Sequence, residues 1–216
     1  MRGQDLTPSM VRYAYENGSF PMAEPDGTIL WYQPYRRCLF PIEGIHVSRS
    51  LSRTIRRGGF EIRYDTAFEE VMRSCLRPVG NWISPDLIRV YTQIHFDGWG
   101  HSCEVWMDGE LVGGVYGVAV GGCFSAESMF HRRTDMSKIA LWALVDKCRE
   151  LGFTLFDAQV TNPHLQSLGS YEIPQRRFVE QLRQCLGSAS PWDPLASRSG
   201  YSLPPYSSSS RPETEF

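Results

Sequence analysis

Two turn signals divide residues 101–130 into three strand-like runs, and this pattern limits the possible folds more than any other feature of the chain. Asp108-Gly109 is typical of a two-residue β-hairpin, and Gly121-Gly122 supplies a second tight turn. We therefore predict an antiparallel meander of three strands. An amphipathic helix over 137–151 and a buried strand over 153–160 should follow it.

The first half of the chain is marked mainly by helix starts. Thr7 and Ser84 each precede a proline at a first helical position, and Ser48 or Ser50 can cap a short helix. Asp65 is predicted to cap another helix, because apolar residues recur after it with helical spacing. Together with the meander, these helices indicate an α+β fold.

Composition limits the classes of protein to which this chain can belong. The 216 residues carry a formal net charge of −2, so any nucleic-acid contact must come from a local basic surface. The six cysteines are far apart, which gives no metal-ligand spacing and indicates the reduced thiols of a cytosolic protein. No apolar run approaches the roughly 18 residues of a membrane-spanning helix. We therefore predict a cytoplasmic protein with no metal and no membrane contact.

Three polar residues interrupt apolar runs in the second half of the chain. Glu127 lies in the third strand of the meander, and Asp157 and Gln159 lie in the buried strand. Such groups cost free energy when buried unless they are paired or used. Asp157 and Gln159 point to the same side of their strand, so the carboxylate can orient the amide toward a substrate amine. The structural alternatives are an Asp/Gln pair that ties the strand end to a loop, and a Glu127 that pairs with Arg132.

Arginines recur along the predicted short helix of the first half. Arg49, Arg53 and Arg56 fall on one helical face at i, i+4 and i+7, and Arg57 extends the group. Arginine forks suit RNA phosphates, so this helix is a candidate tRNA-binding surface. A solvated face is the alternative interpretation.

Several short segments occur in an order that is specific to one protein family. They are WYQP at 31–34, IHVSRS at 45–50, HSCEVW at 101–106, LVGGVYG at 111–117, ESMF at 127–130, DAQV at 157–160 and HLQSLG at 164–169. In this order they resemble the leucyl/phenylalanyl-tRNA–protein transferases, in the form with a short N-terminus. The resemblance covers roughly residues 3 to 185.

The resemblance implies an architecture as well as a fold class. It implies a GNAT-like acyltransferase fold with a smaller N-terminal helical/β subdomain. We place that subdomain, with the basic helix, at 1–64, and the GNAT-like catalytic domain at 65–185. Residues 186–216 would form a C-terminal extension, whose serine-rich end we predict to be disordered.

The resemblance also implies a reaction that needs no cofactor. Leucine or phenylalanine, and in some cases methionine, would pass from aminoacyl-tRNA to the N-terminal α-amine of proteins that begin with Arg or Lys. The product would carry an N-degron for proteolysis. Gln159, held by Asp157, would receive the α-amine, and Glu127 would lie beside the aminoacyl-adenosine end of the donor. Donor binding is predicted for Trp82, Phe124, Ser128 and Met129. For tRNA binding the prediction remains the basic helix with Arg49, Arg53, Arg56 and Arg57, which follows from its spacing and charge.

Two departures from the family pattern and two other functions stay open. Ala126 replaces a glycine before the ESMF segment, and Met22 replaces an aromatic residue of some relatives, so the donor preference is not fixed. A CoA-dependent N-acyltransferase of the same fold would need a glycine-containing pyrophosphate loop, which residues 133–138 do not supply. A non-catalytic module that binds aminoacyl-tRNA or protein N-termini is the other alternative.

Overall fold

The computed structural model describes residues 1–187 and 190–192, and the statements below concern that part of the chain. Most of the predicted extension, 186–216, lies outside it. The strands are β1 Phe20–Ala23, β2 Ile29–Tyr32, β3 Arg36–Phe40, β4 Glu61–Tyr64, β5 Gly100–Met107, β6 Glu110–Val120, β7 Cys123–His131, β8 Leu155–Gln159 and β9 Tyr171–Pro174. The helices are α1 Pro8–Glu16, α2 Arg49–Arg57, α3 Phe68–Ser74, α4 Pro85–Phe96, α5 Met136–Leu151, α6 Pro163–Ser167 and α7 Gln175–Cys185.

The predicted meander, helix and strand are all present in the predicted order, and the predicted α+β fold is confirmed. Strands β5, β6 and β7 pair antiparallel in sequence order. Helix α5 then crosses over one face of the sheet and returns the chain to β8, which runs parallel to β7. A parallel pair needs a long crossover of this kind, because a tight turn can join only antiparallel strands.

The central sheet includes strands from both ends of the chain. In the described residues its order is β4-β5-β6-β7-β8-β3-β9, while β1 and β2 form a separate hairpin. Strand β3 lies between β8 and β9 because Cys38, Leu39 and Phe40 are buried on both faces of the sheet. The sheet therefore extends across the predicted division after residue 64, and that division stays a prediction.

Strands β7 and β8 separate after a short paired stretch. Their pairing runs from Cys123 opposite Leu155 to Ser125 opposite Asp157. On the other side of β7, Tyr116 faces Ser128 whereas the next residue, Gly117, faces Ala126, so Glu127 is the extra residue of a β-bulge. A bulge bends its strand and redirects a side chain. The separation and the bulge together open a cleft in the middle of the sheet.

The prediction that Asp65 caps a helix is wrong. Its backbone is left-handed, with φ of 58°, and its carboxylate accepts from Ser102 N at 2.9 Å and contacts His101 Nδ1 at 2.9 Å. No side chain of the described residues caps α3; the buried carboxylate of Glu104 accepts from the backbone N–H groups of Thr66 and Ala67, which precede the helix. Burial raises the pKa of Glu104 to about 7. Asp65 bonds to β5 and not to the helix because His101 and Ser102 of that strand lie beside its carboxylate.

Three apolar clusters of the described residues pack between the sheet and its helices. The first lies under α2 and α5, the second under α1, α3 and α4, and a smaller third under α7. Trp192 belongs to the first cluster: its ring stacks on His101 at 4.3 Å between centroids, and its Nε1 donates to Asp65 at 3.2 Å. No helix of the described residues is both long and apolar enough to cross a membrane.

Replacing Trp192 with alanine should lower the free energy of unfolding by about 3–5 kcal/mol, the usual cost of deleting a buried large aromatic side chain. Urea unfolding measures this change. Tyr35→Ala is the control, since that ring is 98% exposed and its removal should change stability little. Equal effects of the two substitutions would show that Trp192 is not packed as described.

Candidate active site

A pocket of about 300 Å³ occupies the cleft between β7 and β8. The bulged part of β7 forms one wall, and the end of β8 with the start of α6 forms another. The rest comes from β1, β3, β6, α5 and the connection between α3 and α4. The lining residues include Phe20, Met22, Phe40, Arg77, Trp82, Val115, Ala126, Glu127, Ser128, Met129, Leu141, Gln159, Asn162 and Leu165.

Asp157 is fully buried next to the pocket-lining residues Ala158 and Gln159, and both of its carboxylate oxygens accept hydrogen bonds. Arg37 donates to it from Nε at 2.8 Å and from a terminal nitrogen at 2.6 Å. Ser125 Oγ donates to Oδ2 at 2.9 Å, and the backbone N–H of Gln159 donates to Oδ1 at 2.8 Å. A carboxylate that accepts this many hydrogen bonds is fixed in place. Asp157 therefore anchors its neighbours.

Arg37 is as deeply buried as its partner. The side chains of Arg37 and Asp157 are 1% and 0% exposed. The guanidinium lies over the rings of Phe20 and Phe178, at 4.9 and 4.4 Å from their centroids, and donates to the carbonyl of Gly18 at 3.1 Å. A buried ion pair is tolerated only when geometry and additional hydrogen bonds offset its desolvation. Both conditions hold here.

Gln159 is held in an uncommon conformation at the mouth of the pocket. Its φ of 62° is left-handed, which is rare for residues other than glycine. The hydrogen bond from its backbone N–H to Asp157 stabilises this turn at the end of β8. Its Nε2 donates to Glu127 Oε1 at 2.7 Å. The amide oxygen of Gln159 is thereby left to accept from a substrate.

Among the described residues, Glu127 is the one carboxylic acid that lines the pocket. Tyr15 donates to Glu127 Oε1, and Tyr91 lies 2.7 Å from the Tyr15 hydroxyl. Burial raises the pKa of Glu127 to about 7, against the opposing effect of the hydrogen bonds from Tyr15 and Gln159. Burial also raises the pKa of Tyr15 well above its ordinary value, so this hydroxyl stays a donor. Glu127 Oε2 is buried and has no hydrogen-bond partner among the described residues.

The structure brings most of the predicted residues together. Asp157, Gln159 and Glu127 form one connected network, and Trp82, Ser128 and Met129 line the same pocket. The alternative pairing of Glu127 with Arg132 is not found. Glu127 accepts from Tyr15 and Gln159, and Arg132 donates to the carbonyl of Leu111.

Phe124 does not line the pocket, so its predicted contact with the donor is corrected. Its ring is fully buried and stacks on Phe156 at 5.5 Å between centroids. The paired residues Phe124 and Phe156 point to one face of the sheet, and the next pair, Ser125 and Asp157, points to the other. Phe124 is a core residue beneath the site.

The predicted basic helix has the expected two faces. Leu51 and Ile55 are buried in the cluster under α5, and Ser48 caps the helix by accepting from Leu51 N at 3.2 Å. The exposed arginines are Arg49, Arg53, Arg56 and Arg57. None of them forms an ion pair with a residue that the structure describes, and none lines the pocket.

Sequence reasoning missed the residues that support the site from a distance. They are Tyr15, Arg37, Tyr91 and Ser125. Only Arg37 gave a signal, because it directly precedes the apolar run Cys38-Leu39-Phe40 of a strand. A charge at that place needs a partner, in the same way as Asp157 does.

Two family models match this chain in succession. The one described as leucyl/phenylalanyl-tRNA protein transferase matches residues 39–183, and the one for the N-terminal domain of the same proteins matches residues 4–34. The chain belongs to the leucyl/phenylalanyl-tRNA protein transferase family. It is therefore an enzyme of the aminoacyltransferase class.

Individual relatives agree with this assignment. The leucyl/phenylalanyl-tRNA–protein transferase of Herpetosiphon aurantiacus is 49% identical over 182 residues, which cover 84% of this chain and 95% of the relative. That of Ruegeria pomeroyi is 47% identical over 186 residues, covering 85% and 89%.

Similar solved structures include acetyltransferases. One is the aminoglycoside N-acetyltransferase AAC(6')-Iy, with 17% identity, a TM-score of 0.37 and coverage of 63% of this chain and 95% of that one. Another is a ribosomal-protein-alanine N-acetyltransferase from Brucella melitensis, with 16% identity, a TM-score of 0.38 and coverage of 67% and 98%.

Proposed function

We propose that this enzyme transfers leucine or phenylalanine, and in some cases methionine, from aminoacyl-tRNA to the N-terminal α-amine of proteins that begin with Arg or Lys. One observation carries the proposal: Asp157, Gln159 and Glu127 form a single hydrogen-bonded network at the edge of a pocket of about 300 Å³. The names of the relatives described above support the coarser part of the proposal, which is transfer of leucine or phenylalanine from tRNA to protein.

The pocket offers a place for each part of the donor. Trp82 is half-buried at the rim, where an adenine base can stack on its indole. Val115, Met129 and Leu141 supply an apolar lining suited to an aliphatic or aromatic side chain. Ala126 also lines the cleft, so its methyl group reduces the space available to the side chain of the donor amino acid.

The network can activate the acceptor without a covalent nucleophile. A free α-amine has a pKa of about 7.7–8.0, so part of it is neutral near pH 7. The amide oxygen of Gln159 would accept a hydrogen bond from that amine and direct its lone pair at the ester carbonyl. A C–N bond forms, the C–O bond to the 3′ oxygen of the ribose breaks, and the leaving oxygen takes up a proton. The ionised form of Glu127 would receive the proton that the amine loses, because the oxygens of Asp157 are already occupied.

The preference for Arg or Lys at the acceptor N-terminus agrees with the charge of the site. The carboxylate of Glu127 lies in the pocket, and its negative charge favours a cationic acceptor. The proposed product carries an N-degron. Because the donor is an aminoacyl-tRNA, we also propose that the protein acts in the cytoplasm.

Transfer of radiolabelled leucine and phenylalanine from charged tRNA to a peptide with N-terminal Arg tests the proposal. Peptides with N-terminal Ala and acetylated Arg are the controls. Label on the Arg peptide alone would establish the reaction and the acceptor class, and the Leu/Phe ratio would define the donor preference. Binding of charged tRNA without transfer would favour a binding module instead.

Replacing Arg53 and Arg56 with glutamine should raise the KM for charged tRNA and reduce the slope of its logarithmic salt dependence by about one for each phosphate that the variant no longer binds. Both side chains are exposed on α2. The matched control is the same double replacement at Arg177 and Arg183, which are exposed on α7. If both pairs change the salt slope equally, α2 is not the tRNA-binding surface.

A further inference from the structure

Arg77 is a cationic residue of the pocket with no role in the reaction proposed above. It lies in the connection between α3 and α4, and among the described residues it is the one Arg or Lys that lines the pocket. Its side chain is exposed, and it forms no ion pair with any residue that the structure describes. An unpaired guanidinium at the rim of a pocket is available to an anionic ligand.

The same short connection carries the aromatic side of the pocket. Trp82 is five positions after Arg77, and its carbonyl oxygen accepts from the backbone N–H of Ala23 at 3.1 Å. The amide of Asn81 donates to the carbonyl of Ile83 at 2.8 Å. The first of these bonds attaches the segment to β1 and the second braces the segment itself, and an indole and a guanidinium from this segment both line the pocket.

We infer that Arg77 binds the phosphodiester on the 5′ side of the terminal adenosine of the donor. An adenosine stacked on Trp82, with its ester directed toward Gln159, places its 5′ phosphate at the rim of the pocket. The four arginines of α2 do not line the pocket, so they cannot supply the cation there. The planar fork of arginine can bind two phosphate oxygens at once. The inference rests on the proposed function, because it requires an aminoacyl-adenosine donor.

Two donor analogues that differ only in a 5′ phosphodiester test whether Arg77 binds that group. Both carry phenylalanine linked by a stable amide to the 3′ position of adenosine, and only one carries a methyl phosphodiester at the 5′ position. The wild-type protein should bind the phosphodiester analogue on the order of tenfold more tightly, the effect of one hydrogen bond to a charged group. Arg77→Gln should bind the two analogues equally, with unchanged affinity for the one without phosphate.

Arg73→Gln is the matched control. Arg73 is exposed on α3, four positions before Arg77, and pairs with Glu69 at 2.6 Å. It should keep the wild-type preference for phosphate. Arg77→Lys should keep part of it, since the charge remains while the fork is removed.

The possible results are distinct. A phosphate preference that survives in Arg77→Gln would overturn the inference, and so would an equal loss of affinity for both analogues. A change confined to the KM of the acceptor peptide would assign Arg77 to the acceptor and overturn it as well. If neither analogue bound the wild-type protein, the proposed donor would be wrong, and the inference would fall with it.

Discussion

Replacing Arg37 with methionine should abolish transfer and lower the free energy of unfolding by about 3–5 kcal/mol, the usual cost of leaving one charge of a buried pair without its partner. The Asp157 carboxylate would keep its hydrogen bonds from Ser125 and the Gln159 backbone but would no longer receive the two from the guanidinium. The left-handed turn that presents the Gln159 side chain would then be poorly supported. Urea unfolding and the peptide-transfer assay measure the two effects.

The neighbouring residue gives a close control. Arg36 forms a surface ion pair with Glu172 at 3.5 Å, with 57% of its side chain exposed. Arg36→Met should cost less than about 1 kcal/mol, as exposed pairs do, and should leave transfer intact.

A double variant separates folding from chemistry. Replacing Arg37 with methionine and Asp157 with leucine removes both charges, so it should recover part of the stability without recovering transfer. Full activity in that variant would show that the reaction needs neither residue.

Replacing Glu127 with glutamine should reduce turnover by about 10²–10⁴-fold, the usual contribution of a positioned general base. The pKa of Glu127 is raised to about 7, so the acid is protonated and inactive below that pH and ionised above it. Wild-type turnover should therefore rise through about pH 7, and again as the acceptor amine loses its proton near pH 7.7–8.0. In Glu127→Gln only the second rise should remain. The profile to measure is kcat/KM for the acceptor peptide against pH, since that ratio reports the groups of the free enzyme and free amine.

Glu104 provides the control for this experiment. Burial raises its pKa to about 7 as well, but it binds the backbone just before α3 and does not line the pocket. Glu104→Gln should keep both rises in turnover. If Glu127→Gln also keeps both, another group accepts the proton.

The same raised pKa values make stability depend on pH in a defined direction. Between the ordinary carboxyl pKa of 4.5 and about 7, Glu104 and Glu127 bind protons more strongly in the folded than in the unfolded chain. Their contribution to stability therefore falls as pH rises through that interval and stays low above it. The fall should be smaller in Glu127→Gln than in the wild-type protein.

The parts of the fold that depend on local chemistry were predictable from the sequence. The turn at Asp108-Gly109, the serine caps of α2 and α4, and the glycine that ends α5 act within a few residues. The resemblance brought Glu127, Asp157 and Gln159 together because their motifs were recognisable.

The remaining features depend on pairing between distant segments. Arg37 meets Asp157 across 120 positions, and Tyr15 meets Glu127 across 112, so no window of sequence shows either pair. Phe124 was misplaced because both faces of β7 are covered, which removes the alternation that would show which side a residue faces. Asp65 was misplaced because a strand partner competed with the helix for its carboxylate.

The place of β3 has a consequence for how the enzyme is made. Its two sheet neighbours are β8 and β9, and its partner residues lie about 120 positions or more further along the chain. While the ribosome synthesises the protein, β3 emerges early and has nothing to pair with until most of the polypeptide has followed. Arg37, which lies in β3, likewise has no Asp157 to pair with until β8 has been synthesised. A nascent chain released before β8 would therefore hold an incomplete sheet, an Arg37 without its carboxylate partner and no active centre.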